Sequence, residues 1–130
     1  MSAAVSIAVW NGEEVLLVRR RRPPFEDCWS VPGGRIEDGE TRQDAVAREL
    51  FEETGLRVDE ARFVKNLGTE VAAAGYAIAV YAALYAGGEP KAGTDAAALG
   101  WFVPEEIAGL ETTPGLEEII AITRAALAGE

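Results

Sequence analysis

The stretch RELFEETG, residues 48–55, constrains this chain more than any other, because it crowds three glutamates, Glu49, Glu52 and Glu53, into five positions. At about 100° of helical rotation per residue the three share one face, where like charges at i, i+3 and i+4 repel. The helical pattern begins at Thr41, which with Asp44 three residues on resembles a capping box, and Gly55 fits a C-terminal stop. Val46, Leu50 and Thr54 form one stripe, widened by Ala47 and Phe51, and this is the side expected to be buried. The fold must therefore bury one stripe of this helix and leave an acidic strip beside it. Two readings are open. One is a solvated charged face, the ordinary fate of helix acids. The other is a set of oxygen ligands for a hard cation.

The rest of the chain alternates strand-like and helical segments. Ala4 to Trp10 is an apolar run that reads as a strand, Asn11-Gly12 is a hairpin signal, and EEVLLVRR reads as the second strand. Pro23 and Pro24 break that strand, and WSVPGG reads as loop. ARFVKNLGTEV and AGYAIAVYAALYA look like two longer strands with Gly75 near their junction. GGEPKAGTDAA reads as a loop and LGWFV as a short strand. Pro104 suits the first turn of a short helix, and Pro114 and Gly115 precede a last helix from Leu116 to about Leu127. Strands mixed with helices in this order suggest an α/β or α+β sandwich.

Composition removes several classes of function. At 130 residues one domain with a sizeable core is expected. Cys28 is the only cysteine, so no disulfide framework forms within the chain, which suits a reducing cytoplasm. MSAAVSIAVW does not read as a signal peptide, and no apolar run reaches the length of a membrane span. The net charge of −10 argues against nucleic acid and against an anionic membrane as partners. With no histidine, the commonest general base and transition-metal ligand is absent.

The residues around the acidic strip favour the cation reading. From Gly34 to Leu56 the chain reads GRIEDGETRQDAVARELFEETGL: Gly34, five residues, Glu40, seven residues, Arg48, Glu49, the aliphatic Leu50, one residue, Glu52, Glu53, one residue, Gly55 and the aliphatic Leu56. All nine specified positions match the Nudix box, so the chain resembles the Nudix hydrolases. LLVRR and WSVPGG upstream and GWFVPEEI downstream also look like features of that family. The box covers 23 of 130 residues, and with these segments the resemblance runs along most of the chain.

The resemblance implies an α/β (α+β) fold, a mixed β-sheet sandwiched between helices with the box as a loop-helix-loop, forming a single domain over residues 1–130. It also implies hydrolysis of a pyrophosphate bond in a nucleoside diphosphate derivative, using Mg2+ (or Mn2+). Glu49, Glu52 and Glu53 become metal ligands, with the backbone carbonyl of Gly33 as a further candidate. Arg48 orients the glutamates through charge-assisted pairs. Glu40 does the same or reaches the metal through water. Asp95 is a fourth ligand, an assisting base, or a plain turn aspartate.

The run Arg19 to Arg22 raises the same choice. Alternation sends Arg19 and Arg20 to opposite faces of the strand. By resemblance an arginine here faces substrate, with Arg20 first and Arg19 second, and Arg35 is a plausible phosphate contact. Arg21 and Arg22 read as a solvated strand end that blunts pairing. Trp29, Trp101 and Phe102 are expected in the core rather than as stacking platforms, and Cys28 as a packed small hydrophobe. The loops resemble short bacterial Nudix proteins classed with ADP-ribose pyrophosphatases, so ADP-ribose is the expected substrate. A nucleoside triphosphate pyrophosphatase is the alternative, and a nucleotide-sensing module without turnover is a third option. The expected partner is a small-molecule nucleotide, and a homodimer is left open.

Overall fold

A computed structural model describes residues 4–68 and 77–129. The strands are β1 (Ala4–Asn11), β2 (Glu14–Arg20), β3 (Trp29–Ser30), β4 (Gly33–Arg35), β5 (Arg62–Leu67), β6 (Ile78–Leu84) and β7 (Ala96–Phe102). The helices are α1 (Arg42–Thr54), α2 (Pro104–Ile107) and α3 (Leu116–Ala128).

The apolar run of β1 is explained by its place in the middle of the sheet. It pairs in parallel with β6 along Ala4–Trp10. Its other edge is shared, with β4 along Ala4–Ser6 and β2 at Trp10 and Asn11, both antiparallel. Beyond β6 lies β5, and beyond β2 lie β3 and β7. Helices cover both faces, so every second residue of β1 goes to a different core. Val5, Ile7 and Val9 pack with Val46, Leu50 and Leu56 on the α1 side. Ala8 and Trp10 pack with Leu116, Ile119 and Ile120 on the α3 side. A strand buried on both faces reads as continuous apolar sequence, and this one does. Two buried polar side chains on the α3 side are paired: Trp10 Nε1 donates to Thr123 Oγ1 at 3.1 Å, and Thr123 Oγ1 donates to the Ile119 carbonyl at 2.7 Å. The mixed sheet between helices is the architecture that the sequence implied.

Several local expectations shift. The hairpin turn is centred on Gly12 and Glu13, with Gly12 at φ 61°, and Asn11 closes the strand. WSVPGG is not all loop, since it contains β3 and the start of β4. β7 begins at Ala96, three residues before the expected Leu99, because Ala96 and Ala98 pair with Arg20 and Arg19 of β2. Among the described residues β5 ends at Leu67 and β6 at Leu84, and the parts of the two expected strands within 69–76, Gly75 included, lie outside the described residues. Pro104 opens α2, and the last helix starts at Leu116 as expected. Trp29, Trp101 and Phe102 are half-buried against the two cores.

The acidic helix begins and ends where the sequence places it. Thr41 Oγ1 accepts from Asp44 N at 3.0 Å, and Gly55 closes the helix in the left-handed region at φ 76°. Its buried stripe is Ala45, Val46, Leu50 and Thr54. The expected widening by Ala47 and Phe51 is wrong: both are exposed, and Phe51 instead lies under Arg57, 4.3 Å from the guanidinium carbon to the ring centroid. The stripe widens through Ala45, towards β1, because the sheet lies on that side.

Candidate active site

The N-terminal end of β1, the turn before β4 and α1 meet at one place. β4 hydrogen-bonds to β1 at Ser6, Val5 and Ala4, which brings Gly33 and Gly34 over the acidic strip. Gly33 needs glycine for room because backbone faces it, whereas Gly34 faces the flexible end of a side chain. A Cβ on Gly33 would collide with the Val5 carbonyl, and one on Gly34 would collide with the Glu49 carboxylate. The missing side chain at Gly34 is thus the space that Glu49 fills.

The three glutamates do not behave alike. Glu49 and Glu53 are hydrogen-bonded to one another and burial raises the pKa of both, Glu53 to about 9. For Glu53 burial is the largest cause, followed by the hydrogen bond and charge of Glu49. The Gly33 N–H, 3.1 Å from Glu53 Oε2, and the charge of Arg20 oppose the rise. Glu52 is 57% exposed and turns towards Arg48. Among the described residues no three acidic side chains gather closely enough to hold a metal ion as they stand. The three glutamates expected from the sequence to act alike divide into a half-buried pair, Glu49 and Glu53, and the exposed Glu52, which meets Glu49 at Arg48 Nη1.

Arg48 is the organiser of this face. Its Nε and Nη2 donate to the two carboxylate oxygens of Glu40 at 2.7 and 3.0 Å. Its Nη1 donates to Glu49 at 3.1 Å and Glu52 at 3.2 Å, and Nη2 also reaches the Arg35 carbonyl at 3.0 Å. One guanidinium fork thereby screens the acids and ties the loop to α1. The bond to Arg48 holds Glu40 down at a pKa of about 2, assisted by the Glu37 N–H.

These residues fit a hard divalent cation on their chemistry. Two half-buried carboxylates that share a proton against mutual repulsion are oxygen donors in want of positive charge, and the Gly33 backbone stands beside them.

The raised pKa of Glu53 has a stability consequence. Its folded value lies above its unfolded one, so between about 4.5 and 9 the metal-free native state holds a proton that the unfolded chain has released. Stability from this group is complete below the lower value and drains away as pH rises through that window. Chelator-treated protein should therefore melt at progressively lower temperature from pH 5 to 9, by at most ~1.4 kcal/mol per pH unit. Thermal scans of wild type and Glu53→Gln check this, since the variant should lose most of the slope.

A cleft of about 610 Å3 opens over the acidic strip, lined among others by Arg20, Arg22, Arg35, Glu49, Glu52, Glu53 and Asp95. Arg20 lines it, held by a 2.8 Å bond from its Nε to the Pro24 carbonyl. Arg35 and Asp95 also face it. Arg19 does not line it: its Nε lies 3.9 Å from Asp27 on the other side of the strand. Arg22, expected to be a solvated strand end, is at the cleft and donates to Asp95 Oδ1 at 2.7 Å. No sequence signal separated Arg22 from its neighbours in the run. A smaller hollow of about 150 Å3 adjoins the cleft through Arg20, Gly33 and Gly34, and is lined with Ser6, Phe25, Ser30, Ile78 and Thr113.

The chain resembles known proteins along most of its length. The family model described as NUDIX domain matches residues 2–121. A Mycobacterium tuberculosis protein provisionally named 8-oxo-dGTP diphosphatase 2 is 37% identical over 112 residues, which is 85% of this chain and 79% of that protein. An ADP-ribose pyrophosphatase of Methanocaldococcus jannaschii is 44% identical over 55 residues, 42% of this chain and 32% of that one. Among solved structures, the NUDIX domain of Shewanella oneidensis NrtR complexed with ADP ribose superposes with a TM-score of 0.86 at 21% identity, covering 95% of this chain and 86% of that one.

Proposed function

The chain belongs to the Nudix family and is a hydrolase of pyrophosphate bonds, and from that premise we propose that it cleaves ADP-ribose to AMP and ribose 5-phosphate with Mg2+ or Mn2+. The observation that carries the reaction is the buried Glu49–Glu53 pair beneath Gly33 and Gly34, at the floor of a cleft walled by arginines. Glu49, Glu52 and Glu53 hold the cation, with the Gly33 carbonyl beside them. The cation, when bound, offsets phosphate charge and makes the attacking water more acidic. Arg48 keeps Glu49 and Glu40 in place. Arg20 and Arg35 contact the non-reacting phosphate oxygens, where they favour ground and transition states alike. The adjoining hollow, with its hydroxyls and Phe25, receives the nucleoside.

The absence of a helix long and apolar enough to cross a membrane, among the described residues, and the single cysteine support work in the cytoplasm. A second substrate reading has its own support. The relative that matches most of this chain is named for a deoxynucleoside triphosphate, whereas the ADP-ribose pyrophosphatase matches a shorter stretch. Parallel measurements of kcat/KM decide between them. We expect ADP-ribose to exceed nucleoside triphosphates and dinucleoside polyphosphates. A triphosphate, 8-oxo-dGTP included, that is hydrolysed tenfold more efficiently would reverse the assignment.

A further inference from the structure

We propose that Arg22 is a pyrophosphate-binding residue, held at the cleft mouth by Asp95, which acts as a positioning residue rather than as a metal ligand. The inference rests on the proposed reading of the cleft as a nucleotide diphosphate site. Both residues line that cleft, and Arg22 Nε donates to Asp95 Oδ1 at 2.7 Å. Among the described residues this is the only hydrogen bond that the Arg22 side chain makes. The terminal nitrogens of the guanidinium are therefore left to meet a phosphate.

The backbone places the pair deliberately with respect to the acidic helix. Arg21 N donates to the Asp95 carbonyl at 3.2 Å, just past the irregularity in the β2–β7 ladder at Arg19 and Arg20. The segment before Asp95 is docked on the end of α1: Lys91 N donates to the Thr54 carbonyl at 2.8 Å, and Gly93 N to the Glu53 carbonyl at 3.0 Å. Gly93 admits this approach because a Cβ there would collide with the Glu52 carbonyl. Asp95 is thereby fixed relative to Glu53, and Arg22 is fixed through Asp95.

Chemistry lets one guanidinium serve both partners. The Arg22 and Asp95 side chains are 70% and 63% exposed, so water weakens their attraction and Asp95 orients the guanidinium without neutralising it. A pyrophosphate carries more charge than a carboxylate and accepts the guanidinium fork in parallel bonds. Arg22 keeps its Nε on Asp95 and turns its terminal nitrogens to the substrate at the mouth of the cleft.

A double-mutant cycle tests this on the intact chain. The dissociation constant of ADP is measured by calorimetry, with Mg2+ present, for wild type, R22A, D95N and the double variant. Loss of a charge-assisted contact predicts about tenfold weaker binding in R22A. D95N alone should weaken binding less, and in the R22A background it should change nothing further. Unchanged affinity in R22A, or an equal loss from D95N in both backgrounds, would overturn the proposal. A separate assay of phosphate-ester products keeps the two readings apart. Wild-type protein that binds ADP through Arg22 but turns over no pyrophosphate substrate would contradict the function and leave this contact standing.

Discussion

Glu53→Gln is expected to lower kcat roughly a thousandfold while making the metal-free protein more stable above about pH 5. The two effects have one origin. Glu53 shares a proton with Glu49 in a half-buried site, and its pKa stands at about 9. The cost of ionising it is what a divalent cation would offset. Glutamine keeps the shape of the side chain and still accepts from the Gly33 N–H, 3.1 Å away in the native protein. It has no charge to offer a cation. Several kcal/mol of transition-state stabilisation lost with the cation correspond to about three powers of ten in rate. The same neutral amide removes the proton uptake that erodes stability with rising pH, so the gap in melting temperature over wild type should widen towards pH 9. Steady-state kinetics at saturating Mg2+, with melting curves in chelator, measure both. A variant with native kcat would show that Glu53 holds nothing the reaction needs.

Arg48→Ala is expected to be the most damaging change to the fold among the polar residues of the site, by roughly 2–4 kcal/mol, and to cut kcat/KM about a hundredfold. Arg48 holds Glu40 through two bonds of 2.7 and 3.0 Å, and it also bonds Glu49, Glu52 and the Arg35 carbonyl. Its side chain is only 21% exposed. Without it, Glu40, Glu49 and Glu52 face each other unscreened, and the loop from Arg35 loses its tie to α1. The damage should be partly reversed by Mg2+, which supplies positive charge to the same acids. Urea unfolding with and without Mg2+ measures this. A variant within 0.5 kcal/mol of wild type, as is usual for exposed surface sites, would contradict the organising role.

The sequence was readable where one residue type has one physical use. Thr41 and Gly55 bound α1 because a hydroxyl cap and a left-handed stop leave few alternatives. The β1 run announced a strand buried on both faces. The spacing of Arg48, Glu49, Glu52 and Glu53 announced the acidic strip. What was not readable depended on packing from elsewhere in the chain. Phe51 and Ala47 belong to the apolar count of the helix, yet the sheet approaches from the Ala45 side and leaves them in water. Glu52 is more exposed than Glu49 because Gly33 and Gly34 lie against Glu53 and Glu49, and helical rotation alone does not fix which acids that turn covers. Arg22 could not be told from Arg21 within a run of four arginines, because its role is set by Asp95, far along the chain on the segment docked against Glu53.

Counting bound Mn2+ decides whether the acidic strip holds a divalent cation. Electron paramagnetic resonance of free Mn2+ is followed as protein is titrated in, for wild type and for the E49Q/E53Q double variant. The wild type is expected to bind Mn2+ stoichiometrically, and the double variant to bind at least about a hundredfold more weakly, with no detectable pyrophosphate hydrolysis. Equal Mn2+ affinity in the two proteins, with hydrolysis retained, would contradict the account.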